Sequence, residues 1–354
     1  MSWYLSRGKD WDVVLSSRVR LARDIDGYSF PHRMTEEKKV EVRDKAIEAI
    51  TSLSGAGRTE YVTLNMDLLP EADRKALVEK HLISEDLAKG GLGRSVCISR
   101  DESVSILINE EDHIRIQVMD AGFTLEKAYK KAEEISISLE KALPIAYSDQ
   151  YGFLTACPTN TGTGMRASVM VHLPALTMLG RMQPLIEGLS QAGFTVRGYL
   201  GEHSQANGNI YQMSNQITLG ITEANILSSF KRMVEEVVML ERKLRKELFD
   251  SNPDKIRDRV FRAYGELQYA RMMTDTEAMK KISDLRLGIS LGFFKEQTEE
   301  TMAKLAAFIG SAGVQKDSGE MLPTKQQEVK RADIIRRMLA ENVVHANPQE
   351  GSAT

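Results

Sequence analysis

The stretch Asn109-Glu110-Glu111-Asp112-His113-Ile114-Arg115-Ile116 runs three acidic residues into an arginine-bearing strand pattern. Ile114, Ile116 and Val118 have one parity, and His113, Arg115 and Gln117 have the other. Strand side chains alternate between faces, so the spacing predicts an apolar row in a core and Arg115 on a polar face. Glu111 shares the parity of Arg115, which would bring a carboxylate beside a guanidinium. Such a pair is either a solvated salt bridge at a strand end or the beginning of a site. The pattern recurs. Val13, Leu15, Val19 and Leu21 alternate with Ser16, Arg18 and Arg20; Ala167, Val169, Val171 and Leu173 alternate with Arg166, Ser168, Met170 and His172; Phe194 and Val196 alternate with Thr195 and Arg197. Five arginines thus fall on the polar faces of four predicted strands. In one antiparallel sheet they would converge, and a cluster of permanent charges calls for an anion with several oxygens. A triphosphate fits, because phosphoryl transfer needs positioning and charge stabilisation that an arginine cage with Mg²⁺ supplies. The competing reading is five unrelated surface salt bridges.

The elements that must hold these residues follow from periodicity. Thr35 before Glu36 and Glu37 predicts a helix start, with Gly55 as a stop. A short strand is expected at 61–64, a helix from Pro70 to about Leu82 that contains His81, strands near 95–99 and 103–108, and a helix over 125–142. Another strand is expected over 151–156. Cys157-Pro158-Thr159-Asn160-Thr161-Gly162-Thr163-Gly164 then reads as a loop whose amides could face an anion. A helix around 176–191, a last strand near 209–219 and a long helix capped by Thr222 follow. Beyond Asn252-Pro253 the strand signal stops, and helices at about 253–273, 275–287, 297–310 and 324–344, with loops at Gly288, Gly292 and Gly313, predict an all-helical segment. The expected division is 1–250, 251–346 and a frayed tail at 347–354. The fold class is α+β, an antiparallel sheet flanked by helices and followed by the helical segment.

Composition bounds the function. The 354 residues are 42% hydrophobic and 27% charged with a net charge of −3, which disfavours nucleic acid as an obligatory partner and a polybasic membrane anchor. No run is apolar enough to span a bilayer. Two cysteines, Cys97 and Cys157, build neither a disulfide framework nor a structural zinc site, and a reducing cytoplasm fits best. No phosphate-loop or protein-kinase signature occurs, since Gly162-Thr163-Gly164 lacks the following lysine. The anion would therefore be held mainly by side chains.

Ser16-Ser17-Arg18-Val19-Arg20, the 109–116 stretch, Cys157 to Val169, and Arg197-Gly198 with Gly201-Glu202 together resemble the phosphagen (guanidino) kinases. The resemblance implies an ATP:guanidino phosphotransferase. It makes Ser17, Arg18, Arg20, His81, Arg115, Arg166 and Arg197 nucleotide ligands, Glu111 the catalytic carboxylate, and Cys157 a thiol near the guanidinium. The short lead before Arg18 and the added helical segment are similar to the bacterial protein-arginine kinases. That similarity implies arginine phosphorylation in proteins, in stress response and protein quality control. It implies protein substrates with exposed arginine, an activator protein, a Clp-type unfoldase–protease and a homodimer. A phosphoarginine-sensing motif, RDxxRA, would correspond to Gln327-Glu328-Val329-Lys330-Arg331-Ala332, with its first two residues altered. These residues, Gln327, Glu328, Arg331 and Ala332, form either a weakened allosteric pocket or the cap of a solvated helix. A guanidinium is a poor nucleophile, and a pair of carboxylates can clamp its fork and take its proton. Glu111 and Glu202 are assigned to that pair, with Glu110 as the substitute. Two alternatives stay open: a kinase for free arginine or another small guanidine, and an inactive phosphoarginine-binding adaptor.

Overall fold

In a computed structural model, which describes residues 3–53, 59–198, 207–295 and 298–342, eight strands form one antiparallel sheet. They are β1 (Val14–Arg23), β2 (Tyr61–Asn65), β3 (Ser95–Ser99), β4 (Val104–Ile108), β5 (Ile114–Ala121), β8 (Met165–His172), β9 (Phe194–Gly198) and β10 (Ile210–Asn215). The small β6 (Tyr147–Ser148) and β7 (Gly152–Phe153) pair separately. The order across the sheet is β2-β3-β4-β5-β1-β8-β10-β9, so β1 is central. The helices are α1 (Glu36–Ser52), α2 (Glu71–Glu79), α3 (Glu85–Ala88), α4 (Leu125–Ala142), α5 (Pro174–Met178), α6 (Met182–Gln191), α7 (Glu223–Ser251), α8 (Pro253–Tyr269), α9 (Asp275–Ser290), α10 (Thr298–Phe308), α11 (Ser311–Ser318) and α12 (Thr324–Asn342).

Strand alternation sorts the sheet into two faces. Val19, Leu21, Ile106, Ile116, Val118, Ala167, Val169 and Met213 enter one core with apolar residues of α1, α4 and α7. The other face is covered in two places. Val96, Ile98, Leu107 and Met119 pack with Leu82, Ile83 and Leu87 around α2 and α3. Ile210, Leu15 and Met170 pack on the cluster formed by α8, α9, α10 and α12. Between these two covers lies the face that carries the arginines.

Helix starts follow the expected capping chemistry. Thr35, Thr222, Asn252 and Thr274 each accept an amide hydrogen bond from the first turn of α1, α7, α8 and α9. Several expectations shift. The register of β1 against β8 slips between Val14 and Ser16, so Leu15 leaves the parity of Val19 and joins the helical cluster. The helix from Pro70 ends at Glu79, and His81 follows it at φ +58°. Only Gly152–Phe153 is strand within 151–156, and the span 176–191 is broken at Gly180 into α5 and α6. Gly288 and Gly313 lie inside helices. At Gly288 a Cβ would stand 2.3 Å from Val260 Cγ1, so this glycine permits the close approach of α8 and α9. Glu202, the stop at Gly55 and the tail at 347–354 lie outside the described residues.

Candidate active site

The pairing of β5, β1 and β8 builds the site. Arg20 stands opposite Gln117 on one side and Arg166 on the other. Arg18 lies opposite Ser168 and donates from Nε to its hydroxyl at 3.3 Å and from Nη2 to Gln212 Oε1 at 3.0 Å. Arg197 pairs in register with Gln212, and so occupies the same face farther out. Arg115 Nη1 is 2.6 Å from Glu110 Oε2, and Glu110 also accepts the Ser84 hydroxyl at the start of α3. The expected carboxylate neighbour of Arg115 is therefore Glu110 rather than Glu111, and this engagement leaves Glu110 a poor substitute base. The five arginines do share one face, as strand parity required.

This packing of like charge has electrostatic consequences. Burial, then repulsion from Arg115 and Arg166, pushes Arg18 down to about 10. Burial and the Arg18, Arg115 and Arg166 guanidinium groups hold Arg20 well below its ordinary value. The Nε atoms of Arg20 and Arg115 are buried without a hydrogen-bond partner. Buried donors are normally satisfied, so two orphaned N–H groups amid surplus positive charge suit an oxyanion. Arg18, Arg20, Arg115, Gln117 and Gln212 line a cavity of about 510 Å³ whose far wall comes from Asp275, Met279, Ala306, Ser311 and Arg331. His81 lines it too, with burial and Arg18 pushing its imidazole down to about 4, so the ring is neutral at physiological pH. Gln117 holds the His81 carbonyl at 2.7 Å.

Glu111 is exposed at the start of β5 and hydrogen-bonds Cys157. Partial loss of hydration, then Asp112 and Glu110, raises its carboxyl above the ordinary range, against the lowering effects of Cys157 and Arg115. The Cys157 loop is tied down. Amides of Asn160, Thr161, Gly162 and Thr163 donate to carbonyls of Cys157, Pro158, Phe153 and Thr218, and the Thr218 hydroxyl reaches the carbonyls of Thr159 and Thr161. These four amides are thus spent internally and do not face an anion. The loop instead presents Cys157 to Glu111.

Ser17 does not belong to this face. It shares the parity of Val19 and Leu21, is fully buried, donates to the Gly122 carbonyl at 2.8 Å and accepts the Thr124 amide at 2.9 Å. The reading of Ser17 as a nucleotide ligand is corrected accordingly: it fastens the turn between β5 and α4. The solvated-helix reading of the 327–332 segment is also overturned. Arg331 is buried and donates to the carbonyls of Ile309 and Met273 at 2.7 and 3.0 Å, Ala332 lies in the helical core, and Gln327 bonds Ser311 and the Leu322 carbonyl. Glu328 stands beside Arg331 and accepts the Met273 amide through its carbonyl. Gln212 escaped the sequence reading, for which only its strand parity was available as a signal.

An antiparallel sheet with an arginine-lined cavity and a carboxylate–thiol pair just before β5 defines a class of guanidino phosphotransferases. Comparisons agree. Residues 41–244 match the family described as "ATP:guanido phosphotransferase, C-terminal catalytic domain", and residues 253–350 match "Protein-arginine kinase McsB C-terminal domain". A protein-arginine kinase of Halothermothrix orenii is 42% identical over 95% of this chain and 96% of its own length, and one of Bacillus licheniformis is 39% identical over 99% and 96%. The chain belongs to the protein-arginine kinases of the ATP:guanido phosphotransferase family. Among solved structures, the duplicated taurocyamine kinase of Schistosoma mansoni, with bound transition state analog components, aligns at TM-score 0.57 and 34% identity. The alignment covers 65% of this chain and 33% of that longer one. A lombricine kinase aligns at TM-score 0.59 and 23% identity over 69% and 72%, a likeness of fold. The kinase family implies ATP as a substrate. No described helix is long and apolar enough to cross a membrane.

Proposed function

We propose that the chain transfers the γ-phosphoryl group of ATP to arginine side chains of proteins. The observation that carries this is the set Arg18, Arg20, Arg115 and Arg166 on one sheet face, with the orphaned Nε–H groups of Arg20 and Arg115. These arginines and His81 bind and orient the triphosphate, with Arg197 at the outer end of the row. Mg²⁺ would enter with ATP and be held mainly by its phosphate oxygens, as is usual for this hard ion at nucleotide sites. When bound there, Mg²⁺ neutralises charge developing on the phosphates. Glu111 receives the guanidinium and, as the N–P bond forms, takes its proton, while the bond from Pγ to the bridging oxygen breaks and ADP leaves. The raised affinity of Glu111 for a proton suits this task. Cys157 helps place the guanidinium, and Glu202 completes the carboxylate clamp.

The names of the relatives support a polypeptide acceptor. A kinase for free arginine must also gain affinity from its α-carboxylate and α-amino group, because so small a ligand offers little else. The helical wall with Asp275, Ser311 and Arg331 closes over the cavity proposed for the triphosphate, and a second reading, a kinase for free arginine, would need the same segment to serve also as a cover for the acceptor at Glu111. Residues 1–250 would then be the catalytic unit, and 251–346 either the docking surface for a protein or that cover. On the resemblance to bacterial protein-arginine kinases, the setting is cytoplasmic stress response and protein quality control. A homodimer, an activator protein and a Clp-type unfoldase–protease are the expected partners. The test compares ATP turnover on free arginine with turnover on an unfolded, arginine-containing protein, read by phosphosite mass spectrometry at neutral pH. Label in the protein is expected; label confined to the free amino acid promotes the second reading.

A further inference from the structure

Directly behind Glu111 and Cys157 two carboxyl groups are buried against each other. Asp24, at the end of β1, and Asp112, between Glu111 and His113, are each almost wholly buried. Asp24 Oδ1 accepts the His113 amide at 2.8 Å, and Asp112 Oδ1 accepts the Ala156 amide at 2.7 Å. The two carboxyl groups are within hydrogen-bond reach of each other, while Asp24 Oδ2 is buried and receives no amide, hydroxyl or other N–H donor. Among the described residues His113 is the base paired with Asp24, with Nδ1 3.2 Å from Oδ1. Its Nδ1 already accepts the Ile25 amide at 2.9 Å, so the N–H is on Nε2, which donates to the Ser29 carbonyl at 2.9 Å. The imidazole is neutral and offers Asp24 no proton, and burial holds its affinity for a second proton below the ordinary value. Arg23 turns away toward Ser136, Glu140 and the Phe153 ring. Of the remaining charged groups, Glu111 faces Asp24, and Glu110 and Arg115 face Asp112. Two carboxylates in hydrogen-bond contact cannot both stay ionised without a donor between them.

We propose that Asp24 and Asp112 share one proton and act as positioning residues, clasping the end of β1, the 109–113 turn and the chain at 156 so that Glu111 and Cys157 stay together. The carboxyl of Asp24 is displaced upward by burial and then by Asp112, and that of Asp112 upward by burial. At alkaline pH the shared proton leaves, two buried anions repel, and Glu111 and Cys157 part. The alkaline limit of turnover is therefore set by the fit of the site. No covalent chemistry is involved.

The turnover arm of the test rests on the kinase reading; the spectroscopic arm does not. In the full chain, infrared spectroscopy at neutral pH should show a protonated buried carboxyl that is missing in Asp24→Asn. In Asp24→Asn an amide N–H replaces the shared proton and keeps the acceptor for the His113 amide. Its kcat at neutral pH should stay within about threefold of wild type, with KM for ATP unchanged, and its alkaline limb should move upward, leaving it about tenfold faster than wild type one unit beyond the wild-type limit. If the variant does not fold, the wild type alone decides, because its acid band must fade over the pH interval in which kcat falls. Absence of that band at neutral pH, a band that survives while kcat falls, or an unmoved alkaline limb in a folded Asp24→Asn overturns the proposal. Lack of turnover with the band present refutes the kinase reading instead.

Discussion

Arg20 and Arg115 each hold a buried Nε–H without an acceptor, a feature that costs stability until an anion arrives. Arg115→Ala and Arg166→Ala should each weaken ATP binding by ~1.5–3 kcal/mol, the scale of a charge-assisted contact, as read by calorimetric titration of folded variants; unchanged affinity in both removes the assignment. Glu111→Gln should lower phosphoryl transfer ~10²–10⁴-fold while ATP still binds, and near-normal turnover would leave Glu111 a merely structural strand end. The acid pair adds a stability signature. Because the folded state holds a proton that an unfolded aspartate releases near ~3.9, stability is lost as pH rises from there toward the folded value and is constant beyond it. The melting temperature of Asp24→Asn relative to wild type should therefore climb through that window. At this scale the arginines were legible because a period of two is written in the sequence. Glu110 was misjudged: parity put Glu111 beside Arg115, but the backbone leaves strand geometry before Ile114, with Asn109 at φ +54°, and alternation no longer applies there.

Among the elements, β1 positions the site by serving both layers. Ser17 faces the core and ties β1 to the turn before α4, so Ser17→Ala should cost ~1–3 kcal/mol by leaving the Thr124 amide unsatisfied, yet spare ATP affinity. Chemical denaturation and calorimetry on the same variant separate the two, and a loss of nucleotide binding in a stable variant would restore Ser17 to the site. Most strands and long helices could be read from pattern, because caps such as Thr222 and alternation such as that in β5 are local. What escaped depends on contacts across the chain. The slip that carries Leu15 to the helical side is visible only against β8, and the reason for a glycine inside α9 is visible only against Val260, which leaves no room for a Cβ at Gly288.

Over the whole molecule, the helices beyond Asn252 do more than follow the sheet, since their residues wall the cavity and Glu79 of α2 receives the amides of Ala312 and Gly313. Arg331→Ala should loosen that wall, because the Ile309 and Met273 carbonyls lose their donors, costing ~1–3 kcal/mol. Hydrogen exchange should rise around 273 and 309, and unchanged exchange would mean that Arg331 carries no structural load. The central place of β1 also fixes when the site can exist. Arg18 is separated by 150 residues from Ser168 and by 194 from Gln212, both of which hold its guanidinium. Contacts of such sequence separation form late, after much chain entropy has been lost. A chain still emerging from the ribosome has β1 and β5 long before β8, β9 and β10, so it carries Arg18, Arg20 and Arg115 without Arg166, Arg197 and the partners that complete the proposed nucleotide site. Nucleotide capture thereby becomes a report that synthesis and folding of the catalytic sheet are complete.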